Sequence, residues 1–244
     1  MAGSHAEAGP APCQLLLDLP HRVGEELADF LRAPSNEAAL DAVLGWPAAW
    51  PSPACLLVGP SGSGKTHLAK VWARRSGAVF LRGRELWGPA EPLRRLGDAA
   101  ACVVDDAEEL AQEPPLFHLY NRLAERRGGL LLTARRPVAA WDLRLPDLRS
   151  RLMTAWPVRI EPPDGEFLAA LLVKQFSDRQ LLVDPGVVTF LVNRIERSFA
   201  ATRAVADALD RASLRARRPI TLPLARGVLE RLERPPQEPD QGEG

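Results

Sequence analysis

The stretch that most limits what this chain can fold into is Gly59-Pro60-Ser61-Gly62-Ser63-Gly64-Lys65-Thr66-His67-Leu68. It fits the phosphate-binding pattern G-x-x-x-x-G-K-[ST], with Gly59, Gly64, Lys65 and Thr66 at the defining positions. The apolar run from Ala54 to Val58 in front reads as a buried strand, and Leu68 to Arg74 behind reads as a helix. The loop therefore sits where a strand turns into a helix N-terminus. There, glycines let backbone N–H groups turn inward as an anion nest, and the helix dipole adds positive potential. Lys65 would reach the β and γ phosphates of a nucleotide, and the Thr66 hydroxyl would ligate Mg²⁺. A plain glycine-rich turn is the other reading, and the strand and helix flanks weigh against it. Lysine usage adds support, because the chain holds only three lysines, Lys65, Lys70 and Lys174, against 28 arginines. Such a sequence still places lysine where a slim point charge fits better than a planar fork.

Composition narrows the rest. At 244 residues and 46% hydrophobic content the chain can build a real core, as one large domain or two small ones. Lys+Arg and Asp+Glu are both 31, so no global basic field marks an obligate nucleic-acid binder, and any contact with DNA is expected to be weak or indirect. Cys13, Cys55 and Cys102 are odd in number and widely spaced, and two fall in expected core strands. That usage predicts a reducing compartment. No apolar run approaches the roughly 18 residues needed to cross a bilayer, and no leader-like segment stands at the start, so the expectation is a soluble cytoplasmic protein.

The order of elements predicts an α/β fold. A helix is expected over Glu37 to Leu44, with Ser35 or Asn36 as N-cap, and further strands over Ala78 to Leu81, Ala99 to Val104, Gly129 to Thr133 and Ala155 to Ile160. Helices are expected over Glu85 to Leu96 and Leu116 to Arg126, whereas Ala134 to Arg151 reads as a Pro- and Arg-rich connection. Strands alternating with helices imply a parallel five-stranded sheet covered on both faces. After Pro162-Pro163 the character changes. Asp164 to Arg179, Pro185 to Ile195, Ala200 to Ala216 and Leu222 to Leu232 all read as helices, a small all-helical domain. We expect a flexible segment over 1–24, a nucleotide-binding domain over 25–162, a helical domain over 163–233 and a disordered Pro- and Glu-rich tail over 234–244.

Two further features carry chemistry. Cys102-Val103-Val104 is an apolar strand that ends in Asp105 and Asp106. Beside a phosphate loop, the first acid holds Mg²⁺ and the second can polarise an attacking water. Near the start, Gln14-Leu15-Leu16-Leu17-Asp18-Leu19 is an apolar segment on a polar leash. It is either a first strand packed on the domain or an extended peptide whose leucines fill a partner's groove.

The order and spacing of these motifs resemble the DnaA-type branch of the AAA+ ATPases, over about Asp29 to Leu232. The likeness rests on Asp29-Phe30 with Pro34-Ser35-Asn36 at the adenine site, the loop ending Lys65-Thr66-His67-Leu68, and the strand closing on Asp105-Asp106. Leu131-Leu132-Thr133 is similar to the sensor I strand, Ser150-Arg151-Leu152 to the arginine-finger segment, and Arg203 to the sensor II position. The resemblance implies ADP or ATP with Mg²⁺, held by residues 59–67 together with Phe30, Asn36 and Arg203. Thr66 and Asp105 would serve the metal. Asp105, Asp106, Thr133 and the finger Arg151 would carry the catalytic roles.

Only about a dozen residues follow Leu232, too few for the DNA-reading domain of an initiator. Gln14, Leu15, Leu17, Asp18 and Leu19 are similar to the sliding-clamp motif at the start of the family's Hda branch. The resemblance then implies a negative regulator whose partners are DnaA and the β subunit sliding clamp of DNA polymerase III, with Arg151 acting in trans. It would be nucleotide-bound and have at most weak turnover of its own. Arg135 stands where initiators often carry an acid and Asp147 where they carry a second arginine, and both departures bear on hydrolysis by the chain itself. A self-sufficient ATPase such as a helicase loader is the enzyme alternative, a P-loop small-molecule kinase is a weaker one, and a homodimer is compatible with the same finger.

Overall fold

The computed structural model describes residues 31–216 and 218–233. Its first body is a five-stranded, all-parallel sheet in the order β2-β3-β4-β1-β5, built from β1 (Ala54–Val58), β2 (Val79–Arg82), β3 (Ala101–Asp105), β4 (Gly129–Ala134) and β5 (Trp156–Arg159). β1 lies between β4 and β5, with Val58 beside Ala134 and Arg159. The phosphate loop thus leaves the interior of the sheet at the C-terminal end of its strands, where open parallel sheets bind ligands.

The strands are near-continuous apolar runs because both faces are covered. Alternate residues go to opposite layers. Ala54, Leu56 and Val58 of β1 join one core with Leu130 and Leu132 of β4, while Cys55 and Leu57 join the other with Leu131. The first layer is closed by α3 (Ala90–Leu96), α4 (Glu113–Glu125) and α5 (Pro146–Met153) through Leu96, Leu116, Leu119, Leu148 and Leu152. The second is closed by α1 (Glu37–Leu44) and α2 (Lys65–Ser76) through Leu40, Leu68 and the fully buried Trp72, which stacks on Trp50 at 5.2 Å between ring centroids.

The second body holds α6 (Gly165–Asp178), α7 (Pro185–Val192), α8 (Phe199–Ala216) and α9 (Leu222–Glu233) around Leu172, Phe176, Leu191, Leu209 and Val228. Asp164 and Asp184 start α6 and α7 by accepting the N–H of Phe167 and of Gly186, so side chains satisfy donors that a helix start leaves unpaired. A small cluster of Leu31, Ala33, Phe167 and Ala170 ties the segment before α1 to α6.

Three expectations need correction. The helix expected over Glu85 to Leu96 is broken, with a 3-10 turn at Gly83–Glu85 and α3 starting only at Ala90. Gly88 at φ +62° followed by Pro89 prevents a continuous helix. The supposed connection from Ala134 to Arg151 contains α5, whose Pro146 is in the first turn, where a proline starts a helix instead of breaking it. Asn36 is the N-cap residue of α1, as one of the two expected candidates, but its side chain caps no helix N–H. The Asn36 amide instead accepts from Ala33 N at 2.9 Å and donates to Leu31 O at 2.7 Å.

Candidate nucleotide site

The phosphate loop is held open by two left-handed glycines, Gly62 at φ +73° and Gly64 at φ +90°, the latter preceding α2 directly. Side chains are strained at such angles, so the positions suit glycine. A Cβ on Gly62 would also stand 3.3 Å from Ala200 N, because the loop passes close under the start of α8. Lys65 Nζ fills the hollow and donates to the carbonyls of Gly59 and Pro60, both at 2.8 Å. Burial lowers the pKa of this ammonium, while the nearby carboxylate of Asp106 works against the shift. Ser63 Oγ is buried without a hydrogen-bond partner among the described residues, an acceptor and donor left for a ligand.

β3 delivers Asp105 beside α2. Thr66 Oγ1 lies 3.1 Å from both carboxylate oxygens of Asp105. Thr133, fully buried at the end of β4, donates its hydroxyl to Asp105 Oδ1 at 2.7 Å and accepts Asp106 N–H at 2.9 Å. Asp105 is thereby fixed from behind by one hydroxyl and faces a second in front. Asp106 adopts φ +50°, and its carboxyl is pushed above the usual carboxylate range by burial and then by the charge of Asp105.

A hydroxyl and a carboxylate are hard oxygen donors of the kind Mg²⁺ takes. Among the described residues no cluster of three or more His, Cys, Asp or Glu side chains could hold a metal by itself. Thr66 and Asp105 would therefore hold the ion only together with phosphate oxygens and water, where it would neutralise charge on the transferred phosphoryl group.

A cavity of about 650 Å³ opens between the loop and the helical body. Gly62, Ser63, Gly64, Lys65, Thr66 and His67 line one side, and Phe167, Leu171, Phe199 and Arg203 the other. Leu31 and Asn36 close its end, with the Asn36 amide already committed to backbone partners. Gly59 and Pro60 stand behind the loop and hold Lys65 through their carbonyls. Ser61 is exposed. Arg203 is an exposed side chain on α8. Thr133 and Asp105 sit one layer behind the wall, so Thr133 is a positioning group. Phe30 and the segment Gln14, Leu15, Leu17, Asp18 and Leu19 lie outside the described residues.

Arg151 is elsewhere, exposed in the last turn of α5. Its guanidinium lies over the rings of Phe117 and Tyr120 on α4, at 5.4 and 5.6 Å, and no carboxylate among the described residues ion-pairs with it.

The sequence reading missed several supports. The Glu113 carboxylate accepts from the N–H groups of Arg144 (2.9 Å) and Leu145 (2.7 Å) and so fixes the start of α5. The Glu108 carboxylate does the same for Arg135 and Arg136 after β4. Lys70 and Lys174 were overlooked as well, although all three lysines of the chain line this one cavity. Their scarcity was the available signal.

Comparison with known proteins agrees with this architecture. Residues 164–229 match the family model described as Hda, lid domain. Domain III of the replication initiation protein DnaA from Thermotoga maritima superposes with a TM-score of 0.72 at 18% identity, covering 85% of this chain and 96% of that one. DnaA from Aquifex aeolicus bound to AMPPCP gives 0.61 at 17% identity, over 77% of this chain and 68% of that one. The RuvB Holliday junction branch migration motor of Thermotoga maritima gives 0.62 at 16% identity, over 74% of this chain and 62% of that one. Identities this low speak for the fold alone. Among the described residues no helix is long and apolar enough to cross a membrane. The chain thus joins a match to the Hda lid-domain model over residues 164–229 to a P-loop sheet whose fold is that of DnaA domain III.

Proposed function

We propose that this protein is a DnaA-related replication regulator that switches the initiator off by completing its ATP site. The Hda-type lid and the DnaA-like fold support the broader part of that reading. The observation that carries the finer part is Arg151, an exposed cation at the end of a short helix, resting on two aromatic rings with no carboxylate to satisfy it among the described residues. A guanidinium held in that way is available to a partner's phosphates.

In this reading the chain's own cavity holds ADP or ATP with Mg²⁺, and the bound nucleotide sets the position of the lid against the sheet. The segment Gln14 to Leu19 docks on the DNA-loaded clamp, which raises the effective concentration of finger and target. Arg151 enters the nucleotide site of DnaA-ATP. Water attacks the γ-phosphorus there, the bond to the ADP oxygen breaks, and the guanidinium stabilises the charge spread over the equatorial and bridging oxygens. Such fingers accelerate hydrolysis by about 10³ to 10⁵. The reaction takes place in the cytoplasm, at the replication machinery.

The test is hydrolysis of ATP prebound to DnaA, with the protein added in the presence and absence of clamp loaded on DNA. Acceleration that requires the clamp is the expected result. Absence of acceleration, together with brisk DNA-stimulated ATP turnover by the protein alone, would overturn the reading in favour of a self-sufficient motor such as a helicase loader.

A further inference from the structure

α8 and α9 pack against each other and leave between them a second groove, of about 510 Å³, on the lid. Its floor is apolar and small, made by Ala208, Ala212, Leu224 and Val228. Its walls carry Arg211 and Arg215, one turn apart on α8, and Arg231 on α9. Among the described residues no carboxylate lines it. Among the described residues none of the three arginines is in an ion pair, and the nearby Asp207 is already bonded to Arg179. Leu232 is 45% exposed where the groove ends.

The chain as a whole has no net charge, so three guanidiniums around an apolar trough, without an ion pair among the described residues, form a local arrangement with its own requirement. A phosphate backbone would satisfy the cations and leave the floor uncovered. An apolar helix would cover the floor and bury the cations unpaired, which is costly. Extended-strand addition needs an open sheet edge, and the described lid offers only an isolated bridge between Val183 and Ile220. Small floor residues let a third helix approach within packing distance. Carboxylates one turn apart on that helix would meet Arg211 and Arg215, and a carboxylate on its other flank would meet Arg231.

We propose that the α8–α9 groove docks an acidic amphipathic helix of a partner protein, its apolar face on Ala208, Ala212, Leu224 and Val228 and its carboxylates on Arg211, Arg215 and Arg231. The site is separate from the finger and from the nucleotide cavity. It shares a helix with the latter, since Phe199, Thr202 and Arg203 at the start of α8 line that cavity.

The experiment titrates the full chain into a fluorescein-labelled 14-residue helical peptide with leucines at i, i+3, i+4 and i+7 and glutamates flanking them, and reads anisotropy. Binding with a dissociation constant on the order of 10 μM is expected. Arg211→Glu/Arg215→Glu and, separately, Ala212→Trp should each weaken it by at least about tenfold, as should replacing the peptide's glutamates by glutamine. Each variant is first checked for an unchanged melting temperature and unchanged ADP affinity. Peptide binding that ignores both variants, or no binding at all, would overturn the proposal. So would single-stranded DNA outcompeting the peptide at the same site, or a wild-type dimer in sedimentation that Arg211→Glu/Arg215→Glu dissolves.

Discussion

In the proposed function the cavity beneath the lid and the end of α5 present cations to the same kind of ligand, and they are built in opposite ways. Lys65 is buried, bonded to two carbonyls, and backed by Asp105, Thr66 and Thr133, each fixed by another. Arg151 is exposed and leans on two rings, with its helix pinned at the far end by Glu113. A site that must hold its own nucleotide gains from rigidity before the ligand arrives. A group that must enter another molecule has to stay uncommitted, so its support comes from behind. The difference teaches where each function can be damaged, by loosening in the first case and by truncation in the second.

Removing the exposed cation should produce the largest effect. Arg151→Ala is expected to lower clamp-dependent stimulation of DnaA hydrolysis by about a thousandfold, with melting temperature and ADP binding unchanged. Stimulation that survives this change would break the comparison at its exposed end. Lys65→Ala should weaken ADP binding by up to about a hundredfold, the worth of one charge-assisted hydrogen bond, measured by calorimetry. Thr133→Val leaves the Asp106 N–H without its partner and Asp105 Oδ1 with Thr66 alone, so chemical denaturation should show a loss of about 1–3 kcal/mol. Glu113→Ala should cost only about 1 kcal/mol of stability and lower stimulation several-fold, because it frees the start of α5 and leaves Arg151 itself intact.

An effect that depends on pH concerns the sheet that both regions share. Burial pushes the Cys55 and Cys102 thiols up to about 12 from an ordinary 9.0. The stability they contribute is full below pH 9.0 and falls as pH rises toward about 12, because the unfolded chain loses these protons first. Denaturant midpoints at about pH 8 and about pH 10.5 should diverge less in Cys55→Ala/Cys102→Ala than in the wild type.

Much of the fold was legible because its signals are local. The strand over Ala54 to Val58 and the loop after it announce themselves through an unbroken apolar run followed by glycines, and β1 has the same bounds. α5 was not legible, since Pro146 marks a helix start only when the residues after it are known to continue. The phosphate loop and the Asp105-Asp106 pair were visible as motifs. Glu108 and Glu113 were not, because each acts on backbone N–H groups at least 27 residues away and no spacing rule reports that. Asn36 shows the converse, in which a motif residue lines the cavity while its amide holds its own segment.

The gathering of Lys65, Lys70 and Lys174 around one cavity, in a chain otherwise furnished with arginine, has a practical side. Apart from the α-amino group, an amine-acylating reagent finds targets nowhere but in that cavity. The extent and position of labelling, read by peptide mass, would therefore report nucleotide occupancy and lid closure in the unaltered protein, with no probe attached.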